Sequence, residues 1–268
     1  MQDKPPESLN LTFNDGAAYE RLMGRWSLLA GAQFLDWLAP APGQAWLDVG
    51  CGNGAFTEVI ATQAAPAALT GIDPSDAQIA YARQRAGAKG AAFQTGDAQA
   101  LPFADASFDL AVMGLVISFI PDPARGLAEL VRVTKPGGTV ATYMWDLPGG
   151  GLPLAPLFRA LAEIGHPGQM PPSAAISTQV GLDTLWRGAG LTDIRSTVVT
   201  ISTAYEDFED FWASTSAPAG PQARALQSLP PDQLADLRRR LQTSLPTDSQ
   251  GRIAYPSVAN AISGRKSG

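Results

Sequence analysis

One run constrains this chain more than any other: Trp46-Leu47-Asp48-Val49-Gly50-Cys51-Gly52-Asn53-Gly54-Ala55-Phe56. It reads as a buried strand, a glycine turn and the start of a helix. Glycines at three alternate positions leave the backbone without Cβ atoms, so a ligand can approach it closely. Asp48 falls near the end of the strand, where a doubly wound sheet opens its ligand crevice. A second unit ends in Gly71-Ile72-Asp73-Pro74-Ser75, which puts a second acid at the tip of a second strand. Together they predict a nucleoside-containing small molecule bound at the edge of an α/β sheet.

The rest of the chain supports that architecture. Tyr19, Leu22, Met23, Trp26, Leu29, Ala30 and Phe34 recur at three- and four-residue spacing, which predicts a helix over 17–38, ended by Pro40-Ala41-Pro42-Gly43. Strands and helices then alternate: strand 45–49, helix 55–63, strand 69–72, helix 75–86 capped by Ser75 or Asp76, strand 91–94 and strand 108–113. Asp122-Pro123 starts a helix that buries Leu127, Leu130 and Val131; Pro136-Gly137-Gly138 is expected to stop it before strand 139–145. This alternation implies right-handed crossovers and a parallel sheet. After Asp146 the rhythm breaks. Residues 147–176 are rich in Gly and Pro around one helical piece, 154–164. A helix over 180–189 and a strand over 192–202 follow. Residues 205–245 are helical, broken at 217–221 and at Pro230-Pro231, and 252–263 reads as a last strand. Segments 147–190 and 205–245 are expected to cover the ligand edge of one domain spanning 1–268, with 45–145 as its core.

Composition narrows the function. The net charge is -6 and the sequence pI about 4.8, so a phosphate backbone is repelled unless a local basic patch exists. Arg238-Arg239-Arg240 is the one candidate, and it lies among Leu234, Leu237, Leu241 and Leu245 at helical spacing, as a solvated helix face does. No nucleic-acid partner is expected. One cysteine permits no internal disulfide, and with one histidine no metal site is expected. The N-terminal residues carry no apolar signal region, and no apolar stretch approaches the roughly 18 residues that span a bilayer. A cytoplasmic protein without membrane contact is the expectation; the oligomeric state stays open.

The motifs resemble those of the class I S-adenosylmethionine-dependent methyltransferases, in the group like the ubiquinone/menaquinone C-methyltransferases. The landmarks follow in order: the glycine loop at 47–54, Gly71–Ser75, Gly96-Asp97-Ala98-Gln99-Ala100-Leu101-Pro102-Phe103, Ser107–Val112, and Leu130-Val131-Arg132-Val133-Thr134-Lys135-Pro136-Gly137-Gly138. The resemblance covers residues 17–145 well and the rest loosely. It implies a doubly wound, mostly parallel seven-stranded sheet with S-adenosyl-L-methionine at its edge. Gly50, Cys51, Gly52 and Gly54 would take the methionine part of that cofactor. Asp73, with Pro74 beside it, would accept from the ribose hydroxyls, as a charged acceptor does well. Asp97 and Ala98 would meet the adenine, and Asp48 would orient the loop or a water near the amino group. Gly114 and Leu115 would contact the methionine part and face the acceptor. The run 18–26 is similar to an N-terminal lid, placed at 17–40, in which Tyr19 and Arg25 reach the cofactor's carboxylate. A packing helix is the alternative there.

The function implied is methyl transfer to a small-molecule acceptor by in-line displacement, driven mainly by positioning. His166 and Tyr143 are the weak candidates for a catalytic group; a loop histidine with no catalytic duty is the alternative for His166. The segment Met113–Phe119 lacks the Asn/Asp-Pro-Pro-Tyr/Phe signature of nucleic-acid and glutamine amino methyltransferases, and the acids of a Mg²⁺-dependent catechol enzyme. Tyr143, Met144 and Trp145, with Phe119, Phe158, Phe208, Phe211 and Trp212, suit a largely apolar acceptor; for the last three, ordinary helix packing is the alternative. Two other readings stay open: a catalytically silent cofactor-binding protein, and a nicotinamide-dependent oxidoreductase, whose Gly-x-Gly-x-x-Gly spacing this loop lacks.

Overall fold

The near-continuous apolar runs become the centre of one sheet. The computed structural model describes residues 24–217 and 221–268. Strands β1 (Ala45–Val49), β2 (Ala68–Asp73), β3 (Ala92–Thr95), β4 (Phe108–Gly114) and β5 (Thr134–Trp145) pair in parallel. β7 (Ile253–Arg265) runs antiparallel between β5 and β6 (Thr192–Tyr205). The order β3-β2-β1-β4-β5-β7-β6 makes the expected doubly wound, mostly parallel seven-stranded sheet. It reverses direction of travel between β1 and β4, and a ligand crevice opens beyond the carboxyl ends of strands at such a point. The two central strands are dry: Trp46, Leu47, Val112 and Met113 have no exposed surface.

Helix α1 (Arg25–Leu38) docks beside that crevice through an aromatic cluster. Phe34 stacks on Tyr143 at 4.7 Å, and Phe56, from α2 (Ala55–Gln63), meets Tyr143 edge-on at 5.2 Å. Two glycines make the room. A Cβ on Gly31 would stand 2.7 Å from the Phe56 ring and 3.1 Å from the Tyr143 hydroxyl; one on Gly114 would stand 2.9 Å from Phe56. Tyr19, Leu22, Met23 and the rest of the helix expected over 17–23 lie outside the described residues, as do 218–220.

Three local expectations are corrected. α3 (Asp76–Ala82), with Ser75 as its N-cap, ends before 86, because Arg85 turns onto Glu58 of α2 at 2.5 Å and a 3-10 turn follows at Ala86–Ala88. α4 (Pro123–Val133) begins as read, with the Asp122 carboxylate accepting from the Arg125 N–H at 3.0 Å, but Val131 is only half-buried. Pro136-Gly137-Gly138 does not stop α4. The Thr134 hydroxyl donates to the Leu130 carbonyl at 2.7 Å and β5 begins at once. The Pro-Gly-Gly is a bulge within β5, where pairing jumps from Phe108↔Thr134 to Leu110↔Thr139 and Gly137 takes φ +74.

The remaining elements are α5 (Ala155–Glu163), α6 (Gln179–Gly188), α7 (Phe208–Thr215), α8 (Pro221–Ser228) and α9 (Pro231–Ser244). Phe211, Leu237 and Leu241 are buried. Phe208 and Trp212 stack on each other at 6.4 Å, and Arg238 covers both rings at about 5.5 Å, so this stripe is helix packing. Arg238, Arg239 and Arg240 pair with Glu209 and Asp236, which uses up the basic run on the protein's own acids. Among the described residues no helix is long and apolar enough to cross a membrane.

Candidate active site

A cavity of about 710 Å³ opens at the carboxyl ends of β1, β2, β4 and β5, within the range of small-molecule sites. Of the residues singled out from sequence, Asp48, Gly50, Cys51, Gly52, Asp73, Pro74, Gly114, Leu115 and Tyr143 line it.

The glycine loop forms one end. All three of its glycines have positive φ: +74, +52 and +81 for Gly50, Gly52 and Gly54. Their neighbours differ. A Cβ on Gly50 would stand 2.5 Å from Val116, and one on Gly54 would stand 3.1 Å from Ala82, so these two serve turn and packing. A Cβ on Gly52 would meet nothing within 4 Å among the described residues. Only Gly52 leaves its space open to a ligand, and Gly54 is not in the cavity wall.

Two carboxyls, Asp48 buried and Asp73 half-buried, stand beside the loop. Asp73 accepts the Gly52 N–H at 3.0 Å and the Ser75 N–H at 2.9 Å, and burial nevertheless raises its pKa. Asp48 is 1% exposed and accepts the Thr57 hydroxyl at 2.6 Å. Its pKa is raised from 3.8 to about 7, chiefly by burial. The buried Cys51 thiol is pushed up for the same reason, with Asp48 and Asp73 adding to it, so it stays a neutral wall group. Leu115 takes φ +62, strained for a branched side chain, and its N–H donates to the Tyr143 carbonyl at 2.8 Å.

The other end is apolar: Phe119, Met144, Trp145, Leu152, Leu154 and Phe158 line it, closed by a proline-rich loop at 167–172. The Tyr143 hydroxyl lies under α1, in the gap that Gly31 and Gly114 leave.

Four sequence-predicted residues stand elsewhere. The Arg25 guanidinium lies 4.0 Å from the Trp26 ring and 4.8 Å from the Tyr205 ring, held by cation–π attraction outside the wall. Asp97 is exposed and closes its own turn, accepting the Gln99 N–H at 2.8 Å; Ala98 in that turn is also outside the wall. His166 shares a 3.0 Å hydrogen bond between Nε2 and Gln233 Oε1, which ties its loop to α9 rather than to the cavity. Sequence reasoning missed Ser27, Gln78, Arg159 and Gln222, which do line the cavity. Ser27 falls on the predicted α1 face, one position from the apolar stripe; Gln222 follows a break between helices and carried no sequence signal. Among the described residues no three His, Cys, Asp or Glu side chains cluster to hold a metal.

Residues 47–142 match a family model described as a methyltransferase domain. A demethylmenaquinone methyltransferase of Renibacterium salmoninarum is 32% identical over 190 residues, 65% of this chain and 76% of that protein. A ubiquinone/menaquinone biosynthesis C-methyltransferase of Ruegeria sp. is 37% identical over 123 residues, 44% of this chain. The chain spans about half the length of that relative, 49%. A solved phosphoethanolamine N-methyltransferase 2 of Haemonchus contortus, in complex with S-adenosyl-L-methionine, shares the fold at 18% identity and TM-score 0.57, over 98% of this chain and 59% of that one.

Proposed function

This chain belongs to the class I S-adenosylmethionine-dependent methyltransferases, and we propose that it transfers a methyl group to a small, largely apolar acceptor. One observation carries the reading: a single cavity joins a glycine loop and two carboxyls, one buried and one half-buried, at one end to an aromatic, apolar wall at the other. S-adenosylmethionine, when bound, supplies a methyl group activated by its sulfonium charge. The donor end fits that group. Gly52 offers a backbone that no Cβ shields. Asp73 uses two acceptor positions on the Gly52 and Ser75 N–H groups, which fix its carboxylate, and a carboxylate has about four in all. Two remain for a pair of ribose hydroxyls. Asp48, with a pKa near neutrality, gains its charge most readily beside a cation such as an α-ammonium group. Gly114 and Leu115 line the passage between the two ends.

The chain's own contribution is position and the exclusion of water. Holding two reactants at near-attack distance is worth roughly 7–11 kcal/mol. The apolar walls keep water from competing for an activated methyl group. Tyr143 is packed as a wall rather than presented as a base, and His166 is bound to Gln233. The reading therefore assigns no general base. The domain is read as one unit, 1–268, with 45–145 as the donor-binding core and the segments after it as the acceptor cover.

Calorimetry with S-adenosylmethionine and S-adenosylhomocysteine tests the donor half, and a labelled-methyl assay on metabolite extract tests transfer. Binding of both donor forms and a labelled product are expected. NADH binding in their place defeats the reading. Donor binding with no labelled product from any extract favours a silent binder.

A further inference from the structure

We infer that the acceptor is an apolar molecule bearing an oxyanion, and that Arg159 at the cavity mouth recognises it. The inference rests on the methyl-transfer reading for calling this ligand an acceptor; the anion site itself does not. Helix α5 turns Ala155, Phe158, Arg159 and Ala162 to the cavity, the spacing of one helix face. Arg159 is thus on the stripe that lines the cavity, and it is exposed to solvent. It is the one cationic side chain in the described wall.

Its charge is uncommitted. No ion pair or hydrogen bond engages Arg159 among the described residues, although Glu163 stands one turn further on. Glu163 instead faces Arg240 at 3.8 Å. Arg132, Arg187, Arg238 and Arg252 each face an acid at 2.5–2.8 Å, and Arg83, Arg125 and Arg265 reach backbone carbonyls. The two acids in the wall, Asp48 and Asp73, are at the glycine-loop end with hydrogen-bond partners of their own.

The surroundings define the ligand. The same cavity wall carries Phe158, next to Arg159 on α5, and the 167–172 loop, whose Gly168 lies so close to the Phe158 ring that a Cβ would stand 2.5 Å from it. An apolar body fits there, with its polar end toward the rim. A guanidinium pairs with carboxylate, sulfonate or phosphate through a planar fork, and repels an ammonium group. The aromatic wall by itself would also suit an amine through cation–π contact; Arg159 decides against it. In a chain of net charge -6, an anion needs such a local cation to be held.

The test uses 8-anilinonaphthalene-1-sulfonate and its neutral counterpart N-phenyl-1-naphthylamine, followed by fluorescence on the full chain. The sulfonate is expected to bind more tightly than the neutral probe, and Arg159→Gln to weaken it roughly five- to tenfold while leaving the neutral probe unchanged. Added salt should weaken the sulfonate in the native chain and not in R159Q. Ala162→Trp, filling the cavity from the neighbouring turn, should remove both. Competition by 1-naphthoate against 1-naphthyl phosphate then separates carboxylate from phosphate as the natural oxyanion. Unaltered sulfonate affinity in R159Q, an equal loss of both probes, or sulfonate binding that survives A162W overturns the assignment. Loss of S-adenosylhomocysteine affinity in R159Q, in parallel with the sulfonate, gives the arginine to the donor and also overturns it. A native chain that binds the sulfonate through Arg159 but no S-adenosylhomocysteine defeats the methyl-transfer reading and leaves the anion site standing.

Discussion

The two ends of the cavity are built on different principles. The donor end is made of backbone: a loop of three positive-φ glycines, a carboxylate held by two N–H groups, and a strained Leu115. Its atoms are placed by the sheet's own hydrogen bonding, since the Gly50 and Cys51 N–H groups both donate to the Ile72 carbonyl, at 2.7 and 3.0 Å. The acceptor end is made of side chains drawn from the end of β5, from α5 and from the loops around them, with one cationic side chain among them. A site built from backbone tolerates few sequences, because each φ and each N–H is needed. A site built from apolar side chains tolerates many, because any well-filling set excludes water. On the proposed function, donor binding would thereby be written into motifs, and acceptor choice would not.

Four substitutions separate the two ends. The largest effect belongs to Asp48. Its folded-state pKa, about 7, is raised above its ordinary 3.8. The folded chain therefore holds a proton that the unfolded chain releases from about pH 4 upward, and stability falls as pH rises from about 4 to about 7. Asp48→Asn removes this dependence. In donor-free protein its advantage over the native chain should open from near zero at pH 4 to about 4 kcal/mol above pH 7, read from urea midpoints. Parallel pH profiles would mean that Asp48 carries no such burden. Next, Asp73→Ala should weaken S-adenosylhomocysteine at least about 100-fold by calorimetry, because two charge-assisted bonds are lost. An affinity within tenfold would remove Asp73 from the donor end. Third, Gly31→Ala drives a Cβ toward Phe56 and the Tyr143 hydroxyl, and should cost about 1–3 kcal/mol of stability by overpacking. No shift of the thermal midpoint would show that α1 is free to move away. Smallest is Phe158→Ala in the acceptor wall, which should leave S-adenosylhomocysteine affinity within about twofold. A larger loss would show that the two ends are not separable.

Much of the donor end was legible in the sequence, for a local reason. Strand 45–49 and helix 55–63 have the bounds that apolar pattern and glycine turn imply, because neighbours in sequence decide both. The landmarks at 96–103 and 130–138 also have a physical origin. Arg132 donates to the carbonyls of Leu101 and Phe103, and Glu129 accepts from the Leu101 N–H, so the last turns of α4 pin the loop before β4. Arg132 also pairs with Glu129 at 2.7 Å and Asp105 at 2.8 Å; such partly exposed ion pairs are individually worth little, and their value is in placing the loop. Some expected site residues stand outside the wall for partners remote in sequence and some for local ones: Arg25 meets Tyr205, 180 positions away, whereas Asp97 closes its own turn on Gln99. His166 bonds Gln233, in line with the alternative of a loop histidine without catalytic duty. Pro136-Gly137-Gly138 looked like a helix stop because nothing local reveals that the strand had already begun.

By itself the sequence determined the fold class, the order of the parallel units and the strand-turn-helix of the glycine loop, since strand period, cap and glycine turn depend on neighbours along the chain. The tertiary structure decided which glycine faces open space, that α1 docks through Gly31 and Gly114, and, among the described residues, which arginine lines the cavity without an ion pair. Those depend on which surfaces meet after the sheet has formed, and a carboxylate, a ring or a cation does not carry its eventual neighbour in its own sequence.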